Sequence, residues 1–515
     1  MNKPLAIDLF CGAGGMSEGI LQAGFHIVFS SDINKDVMET YTKRHEQLGL
    51  LEGVHTHFEL ADVRELRGEH IINSINNLEY FKDKNIPDID AIFGGPPCQG
   101  FSRAGRRDKN DPRNTLFLHY VRVISEIKPK YVVMENVEGF MDTRFDGFKG
   151  LDEEPYADNT LVADILKKEL SKINYNCLEP KLLDASNYGV PQRRKRAIFI
   201  AYRNISGKEV PMPEYPEQLT EKVTVYDALS DLFKNRKKQI ESDYQTKIKL
   251  GFTSRFDGNY VPHDGKLYNQ EKSSHAPSIK QRFSLYLPGE STKNVVKRLQ
   301  NGFDITDYPD LLNECFENLN KKYNLDLIHS TFLNKEIELI SKLQLSLLKL
   351  LQGKYKNKKN TFDLFLEHKI DLGSHEEIID EIKNGLNQKY PIEYIINRCR
   401  TGDYNDELIE AVFTRKNARN RLNGNDVSPT MVTLPDDFIH PVEDRILTVR
   451  EMARLQSFDD SFIFYGKRTT GGSRRKLEVP QYTQVGNAVP PLLAKAIAIK
   501  IKIAIDSLNL PKINV

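Results

Sequence analysis

The chain has few cysteines, no excess of either charge and no long apolar run, and each absence excludes a class of protein. Its five cysteines, at positions 11, 98, 177, 315 and 399 of 515 residues, form no Cys-x-x-Cys pair. A disulfide framework and a cysteine zinc cage are therefore excluded, and a reducing cytoplasm is the expected environment. Lys and Arg total 73 against 72 Asp and Glu, which gives a net charge of +1. That balance excludes a uniformly basic protein that coats nucleic acid, so any positive field must be local.

The distribution of apolar residues excludes membrane-spanning and secreted proteins. No run approaches the roughly eighteen apolar residues of a membrane span. Only Met1–Pro4 precede the first apolar segment, which predicts no secretory signal. Hydrophobic residues make up 39% of the chain and charged residues 28%, a composition typical of a soluble globular protein with a sizeable core.

Short apolar runs alternate with amphipathic segments from residue 5 to about 202, which is the pattern of a parallel α/β sheet. The runs are Leu5–Phe10, Ile27–Ser31, Ile89–Phe93, Tyr131–Met134 and Ala197–Ala201. Prolines at 211, 213 and 216 then mark a linker. Helical periodicity is found in five further segments: Leu161–Leu170, Glu336–Leu351, Glu376–Leu386, Leu447–Phe458 and a last one from Pro490–Pro491 to about Leu508.

A glycine-rich turn follows the first apolar run, within Asp8–Gly19. Its glycines let the backbone approach a nucleotide closely, and the following helix start offers free N–H groups. No Gly-Lys-Ser/Thr follows, so the turn is not a P-loop, and its GxGG spacing differs from the dinucleotide GxGxxG. Asp32 ends the next run, where a ribose diol would be held, and Asp62 can receive an adenine amino group. A nucleoside cofactor without a pyrophosphate fits better than NAD, and a purely structural turn is the alternative.

A second loop, Gly94–Ser102, places a cysteine directly after an apolar run. Prolines and glycines around Cys98 fix its direction, and arginines follow at 103, 106 and 107. Positive charge favours the thiolate, which is the reactive form of cysteine. The other four cysteines fit structural positions. A zinc deaminase is excluded, since its Pro-Cys-x-x-Cys motif needs a second cysteine where Phe101 stands.

Two more motifs end or begin strands. Glu135 and Asn136 end the run that starts at Tyr131, at the sheet edge where Cys98 should lie. A carboxyl group there can donate a proton, although a helix N-cap pair is the structural alternative. The cluster Gln192–Arg196 precedes the fifth run. Its arginines are suited to phosphates or carbonyl oxygens, whereas a bare basic run is otherwise a solvated face.

Taken together and in this order, the motifs resemble those of cytosine carbon-5 DNA methyltransferases. The family's Phe-x-Gly-x-Gly-Gly, Pro-Cys-Gln, Glu-Asn-Val and Gln-x-Arg-x-Arg motifs correspond to residues 10–15, 97–99, 135–137 and 192–196. Its Arg-x-Leu-Thr-x-Arg-Glu-x-Ala-Arg-Leu-Gln and Gly-Asn-x-Val-Pro-Pro motifs correspond to 445–456 and 486–491. Two positions depart from the family: Ile33 replaces an aromatic residue that packs on the adenine, and Asp459 replaces a common proline.

The resemblance implies a Rossmann-like α/β fold of the S-adenosylmethionine-dependent methyltransferases, with a second, smaller target-recognition domain. We expect residues 1–215 to form the catalytic domain and residues 475–515 to complete it. Residues 216–474 would form the target-recognition domain, including a helical insert at about 301–421 that matches no family motif.

The implied activity is transfer of a methyl group from S-adenosylmethionine to carbon 5 of a cytosine in a specific duplex DNA sequence. Cys98 would add to carbon 6 of the base while Glu135 protonates ring nitrogen 3, which makes carbon 5 nucleophilic. Arg194 and Arg196 would hold the base carbonyl oxygen and a nearby phosphate. Because these atoms are unreachable in a stacked duplex, the cytosine must be flipped out. The product is S-adenosylhomocysteine, and no metal is expected.

The resemblance also implies binding residues for the cofactor and for DNA. The expected cofactor residues are Phe10, Gly12, Gly14, Gly15, Asp32, Ile33, Asp62, Val63, Pro96 and Asn487. The expected DNA-binding residues are Gln99, Ser102, Arg103, Arg106, Arg415 and Arg419, with Arg421 and a basic loop of lysines at 354, 356, 358 and 359. If these residues do not read the DNA sequence, residues 250–300 are the next candidate region.

The expected partner is double-stranded DNA, with a cognate restriction endonuclease that acts on the same site. We expect a monomer in the bacterial cytoplasm that is associated with the nucleoid through DNA, without membrane contact. Three other functions are alternatives: a transfer-RNA methyltransferase of the same fold, a non-catalytic DNA-binding relative, and an NAD oxidoreductase. Intact Cys98 and Glu135 disfavour the second, and the GxGG spacing disfavours the third.

Overall fold

The computed structural model describes residues 3–82, 88–97, 112–205, 208–233, 240–262, 264–353, 376–414, 419–471, 474 and 477–508. The chain divides into two compact units. The first unit comprises Met1–Lys272, Asn423–Pro435 and Leu447–Val515, and the second comprises Ser273–Leu422 and Asp436–Ile446.

The first unit extends beyond the expected boundary at residue 215. Ion pairing and hydrogen bonding tie the segment after 215 to the helix around residue 450. Arg454 forms an ion pair with Asp231 (2.6 Å), and the Tyr244 hydroxyl donates to the carbonyl of Arg454 (2.6 Å). These buried contacts join stretches that are about 210 residues apart in sequence, so composition alone could not place the boundary.

Strands and helices are numbered in chain order. The strands are β1 (Leu5–Leu9), β2 (His26–Asp32), β3 (His57–Leu60), β4 (Ala91–Gly94), β5 (Tyr131–Val137), β6 (Arg144–Phe145), β7 (Thr160–Leu161), β8 (Tyr175–Cys177), β9 (Lys181–Asp184), β10 (Lys195–Ile205), β11 (Lys208–Glu209), β12 (Asn420–Arg421) and β13 (Phe438–Ile439). The helices are α1 (Gly15–Gln22), α2 (Lys35–Gln47), α3 (Gly68–Asn76), α4 (Leu116–Ile127), α5 (Val162–Lys172), α6 (Val225–Leu229), α7 (Asp243–Leu250), α8 (Pro277–Ser284), α9 (Thr292–Gln300), α10 (Pro309–Asn334), α11 (Ser341–Leu351), α12 (Glu376–Gly385), α13 (Ile392–Thr401), α14 (Asp406–Phe413), α15 (Val449–Leu455), α16 (Gln481–Asn487) and α17 (Pro491–Leu508).

A large mixed sheet forms the centre of the first unit, with strand order β11-β10-β5-β4-β1-β2-β3. Strands β1 to β5 are parallel, so their carboxyl ends lie at one edge. The expectation of a wholly parallel sheet was wrong for the last run, because β10 is antiparallel to β5, β8, β9 and β11. A buried strand has the same apolar pattern in either direction.

Helices cover both faces of the sheet because side chains alternate along each strand. In β1, Leu5 and Ile7 belong to the hydrophobic core beside α3, α4 and α5, whereas Ala6 belongs to the core on the other face. That second face is covered by α1 and α17, which approach closely. A Cβ added to Gly19 of α1 would lie 2.5 Å from the Ala494 Cβ of α17, so only glycine fits there.

The second unit is mainly helical, with β12 and β13 as a short parallel pair. The helix expected at 376–386 is observed as α12, whereas the one expected at 336–351 begins only at Ser341. The long α10 before it was missed, since its buried residues include the polar Asn320 and Asn324 and weaken the apolar periodicity. The Asn320 amide donates to the carbonyl of Tyr390 (2.9 Å), which fastens α10 to the segment before α13.

No helix in the described part of the chain is both long enough and apolar enough to cross a membrane.

Candidate active site

A cavity of about 1070 Å³ lies in the first unit, at the carboxyl ends of the parallel strands. Asp8 of β1, Asp32 of β2 and Glu135 of β5 line it, as do Phe10 just after β1 and Gly95 just after β4. Ligands of open α/β sheets bind at this edge, because loops and helix N-termini converge there.

The glycine turn between β1 and α1 forms one wall of the cavity. Phe10, Gly12 and Gly14 have positive φ values of 58°, 54° and 97°, which favour glycine at the last two positions. A Cβ on Gly12 would meet nothing within 4 Å, whereas a Cβ on Gly15 would lie 2.4 Å from the carbonyl oxygen of Val489. Gly12 therefore leaves space for a ligand, and Gly15 allows α1 to pack against the loop before α17.

Asp32 links the glycine turn to the end of β2. Its Oδ2 accepts the backbone N–H of Gly12 (2.9 Å), and its Oδ1 accepts that of Asn34 (2.8 Å). Burial raises the pKa of Asp32, and these backbone bonds oppose the rise. The neighbouring Ile33 is 64% exposed although it lines the cavity.

Asp62 and Val63 line the same end of the cavity, after β3. The Arg64 guanidinium donates to both carboxylate oxygens of Asp62 (Nε distances of 3.0 and 2.9 Å), which lowers the pKa of Asp62. Arg64 also lines the cavity. A hydrogen-bond acceptor, Asp62, and a cation, Arg64, therefore lie together at the cavity. Only Asp62 was expected from the sequence.

Asp8 is a cavity residue that the motif analysis did not single out. Its side chain is buried, its Oδ2 accepts the Ser17 hydroxyl, and its Oδ1 has no hydrogen-bond partner in the described structure. Ser17 is also bonded to the Tyr41 hydroxyl (3.2 Å), which extends the network behind the glycine turn. An acid that ends a buried strand just before a glycine turn was the signal available in the sequence.

Replacing Asp8 with asparagine is expected to remove one pH dependence of stability. Burial raises the pKa of Asp8 from 3.8 to about 7, the Ser17 bond opposes this rise, and the charge of Asp32 adds to it. Because the folded chain holds this proton more tightly than the unfolded chain, the stabilisation is complete below pH 3.8. It declines by about 1.4 kcal/mol per pH unit above that and is lost above about pH 7.

The measurement is urea unfolding of both proteins across this range. The free energy of unfolding of the wild type, minus that of Asp8→Asn, should fall from about pH 4 to pH 7 and then stay level. A difference that does not vary with pH would contradict the burial of a protonated Asp8.

At the other end of the cavity, Glu135 and two arginines come together. The Arg196 Nε lies 2.6 Å from Glu135 Oε1, and both side chains are largely buried. Arg194 is buried and donates to the carbonyls of Met431 (3.1 Å) and Gly486 (3.0 Å), while its Nε has no partner among the described residues. Burial and the charge of Arg196 lower the pKa of Arg194, and Glu135 opposes this. An acceptor placed in the cavity would satisfy the free N–H of Arg194.

Two neighbouring amides position this cluster. Asn136 donates to the carbonyl of Pro96 (3.2 Å), which ties the end of β5 to the loop before Cys98. Gln192 accepts the N–H of Met431 (2.8 Å) and donates to Gln456 (3.0 Å). Asn136 does not cap a helix, because the helical turn that follows, Glu138–Phe140, has Val137 at its N-cap position and no side-chain cap bond. Gln192 and Arg194 both bind the backbone of Met431.

Residues 430–433 form a wall of the cavity, and no sequence motif predicted them as part of the site. The segment is held because the Thr430 hydroxyl donates to the carbonyl of Arg193 (2.7 Å). It lies more than 230 residues beyond the Gln-x-Arg-x-Arg motif, so no local pattern could link the two.

A comparison with known families decides what this cavity belongs to. Residues 5–503 match the family model of C-5 cytosine-specific DNA methylase. The chain belongs to that family. It is therefore a DNA cytosine-5 methyltransferase, a methylase of the kind found in restriction-modification systems.

Similar proteins span almost the whole methylase. Type II methyltransferase M.DdeI of Desulfomicrobium norvegicum is 29% identical over 507 residues, which cover 98% of this chain and 90% of that protein. Type II methyltransferase M.AgeI of Thalassovita gelatinovora is 27% identical over 530 residues, covering 97% and 99%. The crystal structure of a protein proposed to be a DNA modification methyltransferase, from an E. coli prophage, has a TM-score of 0.54 at 21% identity, with 98% and 100% covered. That likeness supports the mixed α/β fold.

The cavity fits the cofactor that methylases use, S-adenosylmethionine. The unpaired Oδ1 of buried Asp8 offers an acceptor for an ammonium group, and Gly12 leaves open space beside it. Asp32 and Asp62 supply acceptors for hydroxyl and amino groups. In the described residues no group of three His, Cys, Asp or Glu side chains is arranged to hold a metal ion.

Several predicted residues of the methylase lie outside the described ranges. They are Cys98, Gln99, Ser102, Arg103, Arg106, Arg415 and the lysines at 354, 356, 358 and 359. Of the remaining cofactor candidates, Pro96 and Asn487 both line the cavity.

The structure does not support the expected DNA contact of Arg419. Its side chain is buried, its Nε donates to the carbonyl of Asp436 (3.1 Å), and its guanidinium lies 5.1 Å from the ring centre of Phe283. Arg421 is also buried, and its ion pair is with Asp444. Both arginines stabilise the second unit. In the sequence alone, buried arginines of this kind cannot be distinguished from arginines on a DNA-binding surface.

Proposed function

We propose that this methylase transfers a methyl group to carbon 5 of a flipped-out cytosine within one specific duplex DNA sequence, through a covalent bond between Cys98 and carbon 6. One observation carries the proposal. Glu135, Arg196 and Arg194 converge in the cavity, and Asn136 fastens the loop that leads to Cys98 to the same strand end.

Carbon 5 of cytosine is a poor nucleophile, so the base must be activated. The Cys98 thiolate adds to carbon 6 while Glu135 delivers a proton to ring nitrogen 3, and the resulting enamine is nucleophilic at carbon 5. S-adenosylmethionine supplies the methyl group when it is bound and leaves as S-adenosylhomocysteine. A base then removes the proton from carbon 5, the Cys98 sulfur leaves carbon 6 with the pair of electrons from its bond, and the proton on ring nitrogen 3 returns to Glu135.

The arginines hold the base and orient the carboxyl group of Glu135. Arg196 pairs with Glu135 and so fixes the direction of the carboxyl group. The unpaired Nε of Arg194 is a donor for the carbonyl oxygen of the base. Neither contact is reachable from a base inside a duplex, which is why the cytosine must leave the stack. A cavity of about 1070 Å³ exceeds a typical single-ligand site and has room for a nucleoside cofactor and a base together.

The proposal extends to the partners of the protein. Double-stranded DNA is the substrate, bound by a monomer in the bacterial cytoplasm and nucleoid. Because two similar proteins are named Type II methyltransferases, we infer a cognate restriction endonuclease that cuts the same sequence when it is unmethylated.

Bisulfite sequencing of DNA from cells that express the protein tests this function. We expect fully protected cytosines at one position of one short sequence, and none in cells that carry the empty vector. Modification at unrelated sequences would refute site specificity, and no modified cytosine in any sequence would refute the proposed function.

A further inference from the structure

The second unit carries a short helix, α9, whose exposed side holds cations and amides. Thr292, Val295 and Leu299 are buried and anchor α9 in the core of that unit. Lys293, Lys297 and Gln300 are exposed. Their spacing of four and then three residues places them in one stripe along the helix, opposite the buried side.

The stripe itself carries no negative charge. The helix α9 contains no Asp or Glu. The nearest acid before the helix, Glu290, is held by Arg298 through two bonds (2.9 and 2.8 Å). Arg298 therefore neutralises Glu290, and the two lysines are left to act on a ligand.

A second pair of exposed lysines in the same unit differs from the α9 pair, because acids lie near it on its own helix. Lys321 and Lys322 of α10 are exposed, but Glu317 and Asp326 lie one turn away on the same helix. Acids at that spacing reduce the local positive potential. The α9 stripe combines cations with an amide and carries no acid.

The start of α9 is held firmly. The Ser291 N–H donates to Asn294 Oδ1 (3.0 Å), which closes the first turn. The Thr292 N–H donates to the carbonyl of Arg419 (2.9 Å). Arg419 thus holds the helix through its backbone while its side chain stays buried. A rigid helix is a better reader of DNA than a loose loop, because less order is lost on binding.

We propose that α9 enters the major groove of the substrate duplex, where Lys293 and Lys297 contact phosphates and Gln300 reads a base edge. This inference rests on the proposed function. An α-helix with its side chains is about 10–12 Å in diameter, which fits a major groove about 12 Å wide. Lysine is suited to phosphates as a point charge, and glutamine can make two hydrogen bonds with adenine.

The test compares full-length variants in binding and in methylation. Lys293→Gln with Lys297→Gln should weaken binding of duplexes with and without the target site by a similar factor. The slope of log affinity against log salt should fall by up to about 2, since each lost phosphate contact removes about one. The variant with Lys293→Arg and Lys297→Arg should keep the wild-type affinity and the wild-type salt slope, because the charge is kept. The matched control, Lys321→Gln with Lys322→Gln, changes charge equally in the same unit and should behave as wild type.

Gln300→Ala tests base reading separately. Methylation maps of this variant should show other bases accepted at one position of the site. The rate at such altered sites, relative to the rate at the original site, should rise by about 5- to 150-fold. If both α9 variants match the control in affinity, salt slope and map, the inference is overturned while the proposed function stands. If the arginine variant binds as poorly as the glutamine variant although its thermal unfolding is unchanged, the phosphate role is overturned. Failure of the proposed function looks different, because the wild type itself would then methylate no duplex.

Discussion

Replacing Cys98 with alanine is expected to abolish methyl transfer while S-adenosylmethionine binding stays within several-fold of wild type. The sulfur acts only on the base, since no other group in the proposed mechanism can add to carbon 6. The residues that we propose for cofactor binding are different ones, in the glycine turn and at Asp32 and Asp62, which also line the cavity. Catalysis and cofactor affinity should therefore separate in this variant.

Two measurements check this expectation: single-turnover methylation and covalent trapping. A duplex with 5-fluorocytosine at the target should form a stable adduct with the wild type, because fluorine cannot be removed as a proton. Cys177→Ala is the matched control. Burial raises the pKa of Cys177 to about 12, so its thiol is protonated at neutral pH and cannot be the nucleophile. Methylation by Cys98→Ala, or an adduct lost in Cys177→Ala instead, would show that the nucleophile was misassigned.

The parts of the site that could be predicted from the sequence are those that one loop or strand end determines. The glycine turn, Asp32 and Glu135 each follow an apolar run, and the carboxyl ends of parallel strands share one edge of a sheet. Their meeting in one cavity therefore followed from local pattern together with general topology. The family's own motif order added the two arginines, of which Arg196 pairs with Glu135, about 60 residues away in sequence.

The parts that could not be predicted depend on contacts between distant segments. Residues 430–433 are held at the cavity by hydrogen bonds with Gln192, Arg193 and Arg194. Arg64 was not expected to line the cavity beside Asp62, because an exposed arginine two residues after an acid is ordinary in a loop. Arg419 was expected to contact DNA, but its side chain is buried. A pattern of basic residues in the sequence does not reveal whether a guanidinium group is buried or exposed.

The departure from the family at Asp459 has a structural explanation. Its Oδ2 accepts the N–H of Phe252 (2.8 Å), and its Oδ1 accepts the N–H of Ser461 (3.1 Å). Buried Arg44 lies 3.5 Å from the same carboxylate. A proline could accept none of these bonds through its side chain, so in this chain the aspartate joins the segment after α7 to the turn after α15.

Changing Glu135 to glutamine is expected to lower the rate of methyl transfer by a factor of about 10²–10⁴, the usual effect of losing a positioned acid. Glutamine keeps the size of the side chain and can still accept a hydrogen bond from Arg196, which lies 2.6 Å away in the wild type. The fold and the contacts of Arg194 should thus persist, and binding of target DNA should survive. What is lost is the proton for ring nitrogen 3, and without it the adduct at carbon 6 is not stabilised. Glu179→Gln is the matched control, because that carboxylate is 81% exposed and pairs with Lys167. Single-turnover rates at saturating cofactor and DNA decide the outcome: an unchanged rate in Glu135→Gln would mean that Glu135 only holds Arg196 in place.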